Sequence, residues 1–154
     1  MPKIAFDMPV NADLQTIWNV LLDKIEHPER YQAGVEATRF PESTDTYAIR
    51  EIQLPDNTVV KERITIDERM GEVRYELLDD AMFTGEVKNN LIPPAGDDPR
   101  AMPIVQFTMD WRPRNKEAME LELEFIPQLE ASIQEGVRFI KDLAEHMQTQ
   151  QAAR

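Results

Sequence analysis

Leu14, Ile17, Trp18, Leu21, Leu22 and Ile25 fall at i, i+3, i+4, i+7, i+8 and i+11, the apolar stripe of an amphipathic helix. Ahead of it Ile4, Phe6, Met8 and Val10 alternate with more polar residues, so 3–10 reads as a half-buried strand that Pro9 ends or places at a sheet edge. Asn11 suits the helix as an N-cap, with Asp13 in its first turn. His27-Pro28 breaks the helix, and 29–32 adds a short second turn. Weak strands are expected over 35–41 and 45–54, followed by stronger ones over 72–78, 83–92 and 104–112.

At the other end Ile126, Leu129, Ile133, Val137, Ile140, Ala144 and Met147 follow helical spacing, which predicts a helix over 128–147 with Pro127 in its first turn. Just before it, Met119, Leu121, Leu123 and Phe125 alternate with glutamates at period two, as in a strand. We favour a kinked earlier part of the helix at 117–126. Gly136 costs that helix about 1 kcal/mol relative to alanine, so it is expected to make space against the sheet or a ligand. Residues 1–148 read as a single domain and 149–154 as a disordered Gln-rich tail. The order strand, helix, strands, long helix predicts an α+β fold, an antiparallel sheet curled around the last helix. That design tends to leave a hollow between the two.

Hairpin arithmetic fixes a register. Pro55, Asp56 and Asn57 form a turn signal, and a three-residue loop sets Leu54 against Thr58, Ile52 against Val60, Arg50 against Glu62 and Ala48 against Ile64. Val60, Glu62, Ile64 and Ile66 then share the inner face, while Lys61, Arg63, Thr65 and Asp67 face water. A slip by one residue would oppose Glu51 and Glu62, a like-charge pair that sheets avoid. Val73, Tyr75 and Leu77 continue the inner face, as do Phe83, Gly85, Val87, Asn89 and Leu91, and then Val105, Phe107, Met109 and Trp111. Setting Leu91 against Val105 sets Gly85 against Trp111, where the missing side chain leaves room for the indole. The intervening 93–103 holds four prolines and a glycine, so it is a loop, either plain surface or a lid over a pocket mouth.

Composition narrows the functions. With 29 acidic and 17 basic residues the net charge is −12 and no basic cluster occurs, which argues against nucleic acid and anionic membrane as partners. There are no cysteines, no secretion signature and no apolar stretch long enough for a membrane span, so a cytoplasmic protein is expected. Two histidines, His27 and His146, are too few for a converging metal site, and no nucleophile elbow or phosphate-binding glycine loop occurs. No metal and no cofactor are expected. Trp18, Met8, Met109 and Met119 read as core.

Glu62 stands out on an apolar inner face, with Arg50 across from it and Tyr75 and Asn89 nearby. A carboxylate leaves water only when a cation and hydrogen bonds replace the solvent. The pair is either a register-holding ion pair or a polar group that orients a ligand in an apolar cavity. General acid/base work by Glu62 is disfavoured, because a carboxylate paired with arginine is weakened as a base. The expected pocket is bordered by Tyr75, Phe83, Val87, Phe107, Met109, Trp111, Val137 and Ile140.

IWNVLLDKIEHPERY at 17–31, IREI at 49–52, VVKERITI at 59–66 and GEVKNNL at 85–91 carry a resemblance. In order and spacing they resemble the AtaL-like branch of the START/Bet v 1-like (SRPBCC) superfamily. The resemblance implies a helix-grip fold with a seven-stranded antiparallel sheet, two short helices after the first strand, and a cavity under the C-terminal helix. It also implies that Arg50, Glu62 and Asn89 occupy recurring family positions. It supplies no reaction, because the superfamily includes lipid carriers, cyclases, hydroxylase subunits and chaperone activators. The reading adopted is a carrier or binder of a hydrophobic small molecule. The alternatives are a polyketide cyclase/dehydratase-like enzyme and a protein-interaction module, and a homodimer is compatible with each.

Overall fold

The computed structural model describes residues 3–152. Strand β1 (Ile4–Pro9) leads to helix α1 (Leu14–Glu26) and a 3-10 turn at Pro28–Arg30. Six strands follow: β2 (Ala37–Ser43), β3 (Tyr47–Gln53), β4 (Val59–Asp67), β5 (Glu72–Leu78), β6 (Phe83–Ile92) and β7 (Ile104–Pro113). Helix α2 (Lys116–Ala152) closes the chain. All seven strands form one antiparallel sheet in the order β1-β7-β6-β5-β4-β3-β2. This is the helix-grip arrangement.

The register is the one that alternation predicts. Ala48 pairs with Ile64, Arg50 with Glu62 and Ile52 with Val60, and Gly85 pairs with Trp111 and Leu91 with Val105. Gly85 is required for a different reason than room for the indole. Its φ is +125°, and an added Cβ would lie 2.1 Å from the Asp110 carbonyl oxygen, so the backbones themselves need the glycine. The Trp111 ring instead stacks on Phe83, with centroids 5.7 Å apart.

The start of α1 differs from expectation, whereas α2 begins at Lys116, in line with reading 117–126 as an earlier part of that helix. Helix α1 is capped by Asp13, whose carboxylate accepts from Thr16 N at 2.7 Å. Asn11 is not the cap; its backbone N–H donates to Glu145 and that of Asp13 to Gln148, so the turn before α1 is docked on the end of α2. Residues 149–152 are helical, where a disordered tail was expected; residues 153–154 lie outside the described residues. At its other end α2 begins after Asn115, whose side chain accepts from Ala118 N at 2.8 Å. The period-two stretch is therefore helix, and Pro127 sits inside it rather than in a first turn. A proline there cannot bond the carbonyl of Leu123. Both residues are exposed, so water can serve that carbonyl.

The core gathers Ile17, Val20 and Leu21 of α1, Val137, Ile140 and Ala144 of α2, and Ile64, Val73, Val105 and Phe107 of the sheet, all buried. Tyr31, after the 3-10 turn, stacks edge-on against Phe139 of α2 at 5.3 Å and donates its hydroxyl to Asp23 at 2.7 Å. Gly136 brings α2 close to β7: a Cβ there would sit 2.9 Å from the ring of Phe107. The space goes to the sheet. Gly136→Ala gains about 1 kcal/mol of helix propensity but forces that ring aside, an overpacking cost of about 1–3 kcal/mol. We expect lower stability by urea unfolding, relieved by adding Phe107→Leu; a more stable Gly136→Ala protein would show that the ring moves freely.

Candidate functional site

Four polar residues run diagonally across the inner face of four adjacent strands. Arg50 on β3 lies opposite Glu62 on β4. Glu62 pairs with Leu77, two residues from Tyr75 on β5. Tyr75 in turn pairs with Val87, two residues from Asn89 on β6. Period-two alternation puts all four on one face. Arg50, Tyr75 and Asn89 are buried, and the Glu62 side chain keeps 15% of its exposure.

Arg50 is held on three sides. Its Nη2 donates to Glu62 Oε1 at 2.9 Å, and its Nη1 donates to the carbonyls of Ile25 at 3.0 Å and Lys24 at 3.3 Å. Those carbonyls end α1, where unsatisfied oxygens carry the negative end of the helix dipole. The guanidinium thus neutralises Glu62, as an ion pair would, and also caps α1, a role the sequence reading did not include.

Lys24 completes the cluster from above. Its Nζ donates to Asn89 Oδ1 at 2.8 Å and lies 4.5 Å from the Tyr75 ring centroid and 4.9 Å from that of Phe107. Burial of the ammonium pulls its pKa from 10.5 down to about 7; the Arg50 charge adds to the shift and Glu62 opposes it. The two ring faces also favour the charged form. Burial raises the Tyr75 hydroxyl above its ordinary value, against the pull of Arg50. Three buried donors here, Tyr75 Oη, Asn89 Nδ2 and Arg50 Nε, find no hydrogen-bond partner among the described residues. Lys24 was absent from the expected site although the signal existed. It lies seven residues after Ile17 and three after Leu21, on the buried stripe of α1.

The apolar residues of the expected pocket divide into two groups. Phe107, Met109, Val137 and Ile140 are buried in the core, and Phe107 fills the notch at Gly136, so α2 is packed against β7 at its middle. Phe83, Val87 and Trp111 are half-buried toward the start of α2. The polar diagonal instead sits under the end of α1, which the sequence reading did not include in the pocket wall. A separate hollow of about 300 Å³ lies between the start of α1 and the β4–β5 turn, lined by Leu14, Trp18, Met70, Leu91 and Pro93. The loop 93–103 meets this hollow through Pro93, at the end of β6 opposite Phe83. Among the described residues no cluster suits a metal ion, and no helix is long and apolar enough to cross a membrane.

The model of the AtaL family, described as acetylaranotin biosynthesis cluster protein L, matches residues 6–146. The chain belongs to this family. No curated protein matches it. Among solved structures, it is similar to the Zhui aromatase/cyclase of Streptomyces sp. R1128, with a TM-score of 0.71 and 13% identity over 94% of this chain and 93% of that one. The di-domain ARO/CYC StfQ of the steffimycin biosynthetic pathway gives a TM-score of 0.74 and 12% identity, over 94% of this chain and 51% of that one. A protein of Thermus thermophilus gives a TM-score of 0.68 and 11% identity, over 93% and 97%. At such identities the likeness establishes the helix-grip fold alone.

Two outcomes follow from the geometry. Arg50→Met leaves Glu62 and the two α1 carbonyls without their cation and should cost about 3–5 kcal/mol in urea unfolding. Glu62→Leu should cost clearly less, because Arg50 keeps its carbonyls; equal losses would show that capping α1 matters little. Lys24 gives a pH signature. Between pH 7 and 10.5 the unfolded chain holds the lysine proton that the folded chain has released. The unfolded state then binds more protons, so stability rises with pH over that window. Urea midpoints at pH 6.5, 8 and 9.5 should rise in the wild type relative to Lys24→Met, and parallel profiles would refute the shift.

Proposed function

We propose that the protein binds a small apolar molecule carrying an oxygen function, seated on the inner face of the sheet under the end of α1. The observation that supports this is the set of buried donors left over from folding. Tyr75 Oη and Asn89 Nδ2 have no partner among the described residues, and a buried polar group without a partner costs about 1–3 kcal/mol. A ligand oxygen placed between them would recover that loss, while Val87, which pairs with Tyr75, offers apolar surface beside it and Trp111 and Phe83 extend that surface toward the start of α2. Few polar groups in an apolar setting is the composition of small-molecule sites. Arg50 serves the site from behind, by fixing α1 over the sheet. The likeness to aromatase/cyclases, and the family's description by a biosynthetic cluster, fit a ligand of the same general kind.

A second reading, proton transfer on a cyclising substrate, is favoured by Lys24, whose pKa near 7 is matched to acid/base work. Glu62 is unsuited to that part, being hydrogen-bonded to Arg50.

Native mass spectrometry of freshly purified protein should find a retained small molecule, and added 1-(2-naphthyl)ethanol should raise the melting temperature, as a ligand selective for the native state must. Asn89→Ala and Tyr75→Phe should each weaken calorimetric binding of that alcohol by roughly 5–10-fold, the worth of one hydrogen bond of about 1–1.5 kcal/mol. Unchanged affinity in both variants would move the site elsewhere.

A further inference from the structure

We propose that Lys24 is a covalent attachment point, its amine condensing with the carbonyl group of an apolar aldehyde or ketone. This deepens the ligand site proposed above and rests on it. Lys24 differs from the other described lysines in its partners. Lys61, Lys88 and Lys141 each pair with a carboxylate near the surface, and Lys3 and Lys116 are exposed. Among the described residues no carboxylate pairs with Lys24. Its hydrogen-bond partner is the neutral amide of Asn89, and its nearest opposite charge, Glu62, is already bound to Arg50. A lysine placed among apolar side chains next to another cation keeps a neutral, nucleophilic amine at neutral pH. Here the apolar walls are the faces of Tyr75 and Phe107, and the cation is Arg50, itself 5.2 Å from the Tyr75 ring centroid.

Condensation needs a proton donor and acceptor near the amine, and Tyr75, whose ring centroid lies 4.5 Å from Nζ, is the residue that could serve. The Nζ lone pair forms a C–N bond to the carbonyl carbon, and one proton passes from nitrogen to oxygen to give the carbinolamine. The C–O bond then breaks, and the hydroxyl leaves as water with a proton from the Tyr75 hydroxyl, which has no other partner. The resulting iminium returns its remaining proton to Tyr75. Amine and carbonyl have become imine and water, with no oxidant or reductant consumed. Asn89 holds the amine through Oδ1, leaving its free Nδ2–H group for a second ligand oxygen. A β-dicarbonyl or hydroxy ketone would use both.

The test uses 2-naphthaldehyde, with 1-(2-naphthyl)ethanol as a ligand that cannot condense. Wild-type protein at pH 7.5 is treated with the aldehyde and sodium cyanoborohydride, and the adducts are mapped by peptide mass spectrometry. An ordinary lysine is neutral in roughly one molecule in a thousand at that pH, so Lys24 should be labelled roughly 100-fold faster than the other lysines. Lys24→Met should lose this adduct, whereas Lys61→Met, at a surface lysine outside the site, should keep it. If the wild type binds the alcohol but its lysines are labelled at equal rates, the covalent role is refuted and the binding site stands. If neither compound binds, both readings fall together. The mapping on wild-type protein decides the matter even where a Lys24 variant folds poorly.

Discussion

The Arg50 guanidinium is the joint on which the site depends. Helix α1 ends in carbonyls that have no partner within the helix, and β4 presents a carboxylate on a face that is otherwise apolar. Each alone would be costly to bury. One planar cation reaches both, at 3.0 Å to Ile25 O and 2.9 Å to Glu62. Because its donors form a rigid fork, the link fixes where the end of α1 stands over the sheet as well as neutralising charge. The last turn of α1 is thereby held above β5 and β6, and Lys24 in that turn is brought to Asn89 and Tyr75.

This joint separates two kinds of polar residue that the sequence presents alike. Arg50 and Glu62 find charged partners in each other, and Arg50 also caps α1. Lys24, Tyr75 and Asn89 do not: one amine meets a neutral amide, a hydroxyl meets nothing, and half of the amide is free. Folded proteins satisfy nearly all buried polar groups. A cluster that leaves several donors unsatisfied in one place is therefore a departure with a local cause, and a ligand is the cause we favour.

How much of this could be read from the residues depends on the kind of interaction. Sheet register was legible because alternation and one tight turn leave few choices: a slip exposes Ile64 and buries Lys61. The Arg50–Glu62 pair followed from that register without further help. Lys24 was harder, since periodicity says that it faces inward but not which strands lie beneath it; that is set by Arg50 reaching across to the carbonyls of α1. Asn11 and Asp13 are both good caps by composition, and contacts with Glu145 and Gln148, far along the chain, decide between them. Pro127 fits a helix start equally well in isolation. It became an interior residue because Asn115 supplies an earlier cap and both Pro127 and Leu123 are exposed. Where α2 passes β7, the sequence leaves a choice open for a related reason. A glycine on a helix signals close approach, and the sequence does not say whether a ligand or the Phe107 ring takes the space.

The central claim is that a ligand meets the sheet under the end of α1, and lysine side chains report on it directly. Nuclear magnetic resonance of protein labelled with 13C at the lysine Cε position separates Lys24 from the five other lysines of the chain by its environment. On titration with 1-(2-naphthyl)ethanol the account predicts a saturable shift of the Lys24 signal, with the other five unmoved. A ligand that binds while leaving Lys24 unmoved would contradict it and place the site elsewhere on the molecule.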